Sequence, residues 1–90
     1  MTIWQMIAKS GQGPRFEAIR VNTQNVQEVL DFCYPTAVAM SDSGLVLLHD
    51  WGNELARWGS WILKEDSGRL RTADNEVFLN AFEPVQEVYP

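Results

Sequence analysis

One cysteine, one histidine and seven Lys and Arg residues stand in this 90-residue chain, and each scarcity removes a class of function. Cys33 alone cannot close an internal disulfide, so the chain must fold without a crosslink and suits a reducing compartment. One Cys and one His cannot supply the four ligands of a structural zinc within a monomer, and no cofactor or metal is expected. Twelve acidic residues outnumber the seven basic ones, for a net charge of −5. Such a surface repels phosphate backbones, which excludes direct nucleic-acid binding. No apolar run approaches the roughly 18 residues of a membrane span, and Met1-Thr2-Ile3-Trp4-Gln5 has no cationic start leading into an apolar stretch. A soluble cytoplasmic protein without a membrane partner is expected.

What is present describes one folded domain over 1–90. Residues of the hydrophobic class make up 46% of the chain and charged residues 21%, a globular rather than a disordered balance. Four tryptophans in 90 residues are the unusual component and the compositional hint of a binding surface.

Ile3–Ala8 carries apolar residues on both faces and reads as a strand. Gly11, Gly13 and Pro14 punctuate the chain before a second strand over 16–21, and the two suit a hairpin with a longer loop. Asn25 with Glu28 three positions on fits a capping box. Val26, Val29, Leu30 and Cys33 then recur at helical spacing, with Gln24, Gln27, Glu28 and Asp31 turned away. Pro35 ends that helix by pushing Tyr34 out of the α region. Beyond it the period shortens. Strands over 37–40 and 45–49 flank the turn Ser41-Asp42-Ser43-Gly44, and the second, apolar on both faces, belongs at a sheet centre. Trp51-Gly52-Asn53, Trp58-Gly59 and Asp66-Ser67-Gly68 separate further strands over 54–57, 60–65 and 69–72. Asp74 can cap a short helix over 75–81, and Pro84 forces an extended stretch over 85–89. The expected fold is α+β: a small antiparallel sheet or partly closed barrel, one packed helix and a short C-terminal helical turn.

Chemistry-bearing residues are few. His49 beside Asp50 is the sole imidazole, and a Ser-His-Asp arrangement would require Ser41, Ser43 or Ser60 to meet it without any nucleophile elbow. A strand-end histidine is the simpler reading. Gly11-Gln12-Gly13-Pro14 lacks the lysine and the following helix of a phosphate loop. The acid pairs Asp50/Glu54 and Glu65/Asp66 read as solvated surface, and Cys33 on the apolar stripe as a core residue. Trp4 and Trp61 lie on strands among apolar neighbours and belong to the core. Trp51 and Trp58 lie on turns, and with Arg57 they form the candidate partner-binding surface; the competing reading makes them lids closing a small barrel. Glu28 and Asp31 on the outer helix face offer acid to a basic partner.

Five segments carry a family likeness: Phe16-Glu17-Ala18-Ile19, the helix from Asn25 to Cys33, Gly44-Leu45-Val46-Leu47, Gly59-Ser60-Trp61-Ile62-Leu63-Lys64, and Phe78 through Val85. In order and spacing they resemble short proteins of tailed bacteriophages and prophages. Those have a central Glu-Ala strand, an Asn-started helix, a Pro-Gly-Asp-Trp-Ile-Val motif and a closing Phe-x-x-x-[Tyr/Phe]-Glu-Pro. Here Trp58-Gly59-Ser60 replaces the Pro-Gly-Asp corner, and Thr72-Ala73-Asp74 replaces a basic Lys-Pro step. The resemblance implies a phage or prophage origin and a bacterial cytoplasm as workplace. A small acidic protein of this kind, with no catalytic set, is expected to inhibit a host defence system, in the manner of anti-CRISPR proteins, by binding a host protein. The alternatives are a small-molecule binder that sequesters a nucleotide signal in a Trp-lined barrel mouth, or a minor virion component. A monomer or a homodimer is expected, with the Ile3–Ala8 edge as the dimer contact.

Overall fold

The computed structural model describes residues 3–11, 13 and 15–88. Turn residues cut the chain into eight strands and two helices, in the order β1 (Ile3–Ala8), β2 (Phe16–Arg20), α1 (Val26–Cys33), β3 (Ala37–Ser41), β4 (Gly44–His49), β5 (Gly52–Arg57), β6 (Trp61–Lys64), β7 (Leu70–Ala73), α2 (Asn75–Ala81) and β8 (Phe82–Val88). They form a five-stranded antiparallel sheet, ordered β7-β6-β2-β1-β8, and a three-stranded one, ordered β3-β4-β5.

The five-stranded sheet is covered on both faces, which is why β1 and β6 carry apolar residues on both sides. Successive side chains of a strand point to opposite faces. Ile19, Ile62 and Leu70 therefore face one way, into a core completed by Leu45, Leu47 and Ala56 of the small sheet and Val29, Phe32 and Cys33 of α1. Met6, Ala18, Trp61 and Leu63 face the other way and meet Phe78 of α2. Phe78 is fully buried, its ring stacked 4.5 Å from that of Trp61. Burying such a ring stabilises the fold by about 2–3 kcal/mol. The molecule is thus layered: α2, the large sheet, then the small sheet with α1 beside it.

Gly44 is dictated by close approach. It pairs with Arg57, and a Cβ there would lie 2.7 Å from Arg57 Cα and 2.9 Å from the Ala56 carbonyl carbon. A side chain would have to displace the backbone of β5.

Several expectations change. Neither sheet closes, so the partly closed barrel is not formed. Ile3–Ala8 is no edge, because β8 returns to pair with it on the side away from β2, which removes it as a dimer contact. The strand expected over 60–65 shortens to Trp61–Lys64, since Ser60 is held in a turn by its amide donating to Arg57 O. The strand expected over 54–57 extends back to Gly52. The capping box does not form. Asn25 occupies the N-cap position without a cap bond, its Oδ1 accepting from Asn22 N (3.0 Å) and its Nδ2 donating to Arg20 O (2.7 Å). The buried face of α1 is Val29, Phe32 and Cys33, with Leu30 half-buried; Phe32 turns inward and Lys64 Nζ sits 4.5 Å above its ring. Helix α2 spans the expected 75–81, and the extended stretch after Pro84 is part of β8, whose expected last residue, Tyr89, lies outside the described residues. Gln12 and Pro14 of the first loop lie outside them too.

Candidate functional site

Alternation along the small sheet sets its two faces. Leu45 and Leu47 point into the core, so Val46 and Leu48 point outward, as do their cross-strand neighbours Ala37, Ala39, Asn53 and Leu55. Arg57, two residues beyond Leu55, shares that outward side. Leu48 and Leu55 are exposed at 40% and 37%, and Trp51 at the β4–β5 turn at 68%. Tyr34, also exposed, precedes β3 at the same end of the sheet as Trp51. Between them, a notch of about 430 Å³ is lined by Pro35, Ala37, Leu48, His49 and Trp51, among others.

The residues expected to form one contact surface do not come together. Trp51 and Trp58 flank β5 at opposite ends, about 20 Å apart at the rise of a strand. Parity turns Trp58 inward with Glu54 and Ala56. It is half-buried against the inter-sheet core, and its Nε1–H donates to Asp42 O at 2.9 Å. Trp58 thus closes the end of the core, Arg57 remains on the outer side, and Trp51 lies exposed at the β4–β5 turn with its ring on His49. Glu28 is half-buried on α1, and Asp31 is exposed and accepts from Gln27 Nε2. Trp4, expected in the core, is half-buried and packs against the second core cluster, whereas Trp61 is buried.

His49 meets neither a serine nor Asp50. Its Nε2 lies 3.1 Å from Glu54 Oε1, and its ring stacks 4.2 Å from that of Trp51. Glu54 Oε2 accepts from Thr72 Oγ1 (2.8 Å) and Thr72 N (3.3 Å). Glu54 thereby fastens β5 of one sheet to β7 of the other. Ser41 and Ser60 donate their hydroxyls to Gly44 O and Arg57 O, and Ser43 is exposed in the hairpin turn. The partnership of His49 with Glu54 escapes sequence inspection because it depends on which way β5 faces. Burial pushes the Cys33 thiol up to about 11, against a smaller opposite pull from the Lys64 charge. That places a neutral thiol in the core rather than a nucleophile. Among the described residues no group of three or more His, Cys, Asp or Glu is placed to hold a metal ion, and no helix is long and apolar enough to cross a membrane.

A second concavity, of about 540 Å³, opens on the α2 side of the large sheet. Trp4 and Trp61 lie against it, Arg20, Asn22 and Asn25 come from β2 and the loop after it, and Asn75 and Leu79 come from α2. Arg20 pairs with Trp61 across β2 and β6, so the guanidinium stem and the indole share one face. None of its polar residues was a sequence candidate. No motif links Arg20 to Asn75, which only the strand order and the return of α2 bring together.

No family model, no curated protein and no solved structure matches the chain.

Proposed function

We propose that the chain is a non-enzymatic interaction protein of phage or prophage type, acting in the bacterial cytoplasm as an inhibitor that binds a host defence protein. The observation that carries this reading is the apolar outer face of β3-β4-β5. Of the eight large hydrophobic residues exposed among those described, Leu48 and Leu55 lie on that face, and Tyr34 and Trp51 stand at its β4–β5 end. A clustered apolar surface on a small chain marks an interaction site, and an exposed Trp beside a notch is the usual kind of binding anchor. Arg57 gives the face a cationic end, and Glu28 and Asp31 supply acid on the helix that packs beside β3. The likeness to short phage proteins supplies the setting.

The test measures binding of the purified chain to purified bacterial defence effectors, CRISPR complexes first, by biolayer interferometry. Trp51→Ala and the double variant Leu48→Asp/Leu55→Asp should each weaken a positive pair by about 30-fold or more, the scale of a hot-spot loss, with unchanged circular dichroism. Failure to bind any effector, or variants that bind as well as the parent, would overturn the reading.

A further inference from the structure

The concavity on the α2 side has a rigid floor and a polar wall with unused donors. The Trp61 ring is held by its stack on Phe78 and by Nε1–H donating to Asn75 Oδ1 at 2.8 Å. Asn25 uses both ends of its amide within the loop. Asn22 Oδ1 accepts from Gln24 N, and Arg20 Nε donates to Gly59 O. The polar atoms left over without a protein partner among the described residues are Arg20 Nη1 and Nη2, Asn22 Nδ2 and Asn75 Nδ2. All four are donors. Arg20 forms no ion pair with any carboxylate whose side chain is described, among which the single ion pair is His49 with Glu54.

A guanidinium fork beside two free amide NH2 groups favours an anion rich in acceptors, and flat indoles favour a planar ring lying against them. The volume, about 540 Å³, falls within the roughly 300–1,000 Å³ of small-ligand sites. We propose that this concavity binds a nucleoside 5′-monophosphate, its base against Trp4 and Trp61 and its phosphate on Arg20. One cation on a molecule of net charge −5 offsets about half the charge of a phosphate monoester and leaves nothing for a polyphosphate backbone, so the free mononucleotide is the ligand rather than the 5′ end of a nucleic acid. The site lies on the other face of the large sheet from the surface assigned to a protein partner and goes beyond that reading.

The experiment follows the four indole N–H resonances by ¹H–¹⁵N NMR during titration with AMP and GMP. Adenosine, inorganic phosphate and a 5′-phosphorylated tetranucleotide serve as separate arms. Trp4 and Trp61 should shift with the monophosphates while Trp51 and Trp58 stay in place. Arg20→Gln should weaken binding about tenfold or more, as loss of charge-assisted hydrogen bonds does. Leu79→Glu, which sets a negative charge at the rim on an exposed residue, should abolish it, and Trp51→Ala should leave it unchanged. The proposal is overturned if millimolar monophosphate moves neither Trp4 nor Trp61. It is equally overturned if adenosine or phosphate alone binds as well, if the tetranucleotide binds tighter, or if folded Arg20→Gln behaves as the parent.

Discussion

Glu54 is the place where a single substitution should loosen one sheet from the other. Glu54→Ala removes the acceptor of Thr72 N, Thr72 Oγ1 and His49 Nε2. Hydrogen bonds to a charged group contribute about 1.5–3 kcal/mol each when both partners are dry. The Glu54 side chain is 27% exposed, so water can replace part of what is lost, and the net cost should be about 2–4 kcal/mol. That is a large share of the roughly 5–13 kcal/mol that a domain of this size commands. Urea unfolding at pH 7 followed by tryptophan fluorescence measures it. With a slope of about 1–1.5 kcal/mol per molar, the midpoint should fall by roughly 2 M. Thr72→Val completes a double-mutant cycle, in which the coupling between positions 54 and 72 should be about 1 kcal/mol or more. A midpoint within about 0.3 M of the parent, or strictly additive effects, would refute the view that this carboxylate joins the sheets.

Other substitutions separate further parts of the argument. Gly44→Ala forces a Cβ into the backbone of β5, and the chain should be unfolded at 25 °C by circular dichroism. Trp58→Ala should cost about 2 kcal/mol in urea unfolding, because that ring is half-buried against the core. Trp51→Ala, at an exposed turn, should stay within about 0.5 kcal/mol. The Cys33 thiol, raised from 9.0 to about 11 by burial, should resist a disulfide reagent at pH 8 in the folded protein and react at once in urea. Its effect on stability has a definite sign. The unfolded chain loses the thiol proton first, so this contribution is fully present below pH 9 and is lost as pH rises toward 11, read as a falling urea midpoint that Cys33→Ala flattens.

Helix α1 from its apolar spacing, its end at Tyr34 before Pro35, the β3–β4 hairpin around Ser41 to Gly44, and α2 over 75–81 are all legible in the sequence. Each rests on interactions between residues a few positions apart, which periodicity and turn chemistry encode directly. The same local logic overreached at Asn25, where a capping box matched the spacing but the side chain found better partners in Asn22 and Arg20 O. The core position of Cys33 is legible because its place on the stripe is local information.

What the tertiary structure alone decided is non-local. That β8 returns beside β1, making an apparent edge into an interior strand, depends on residues some 80 positions apart. The same holds for the division of eight strands into two sheets instead of one barrel, which no turn signal specifies. Once the sheets pack, the two-residue period of β5 assigns sides: Glu54, Ala56 and Trp58 inward, Leu55 and Arg57 outward. It thus parts two tryptophans that look equivalent on neighbouring turns and brings His49 to Glu54. Arg20, Asn75 and the indoles of Trp4 and Trp61 share a concavity for the same reason. Local pattern sets most of the elements and part of the core, such as Val29 and Cys33; that Phe32 and Trp58 join it while Trp4 is only half-buried, and which side chains meet across it, follows from strand order and parity, which exist only in the folded chain.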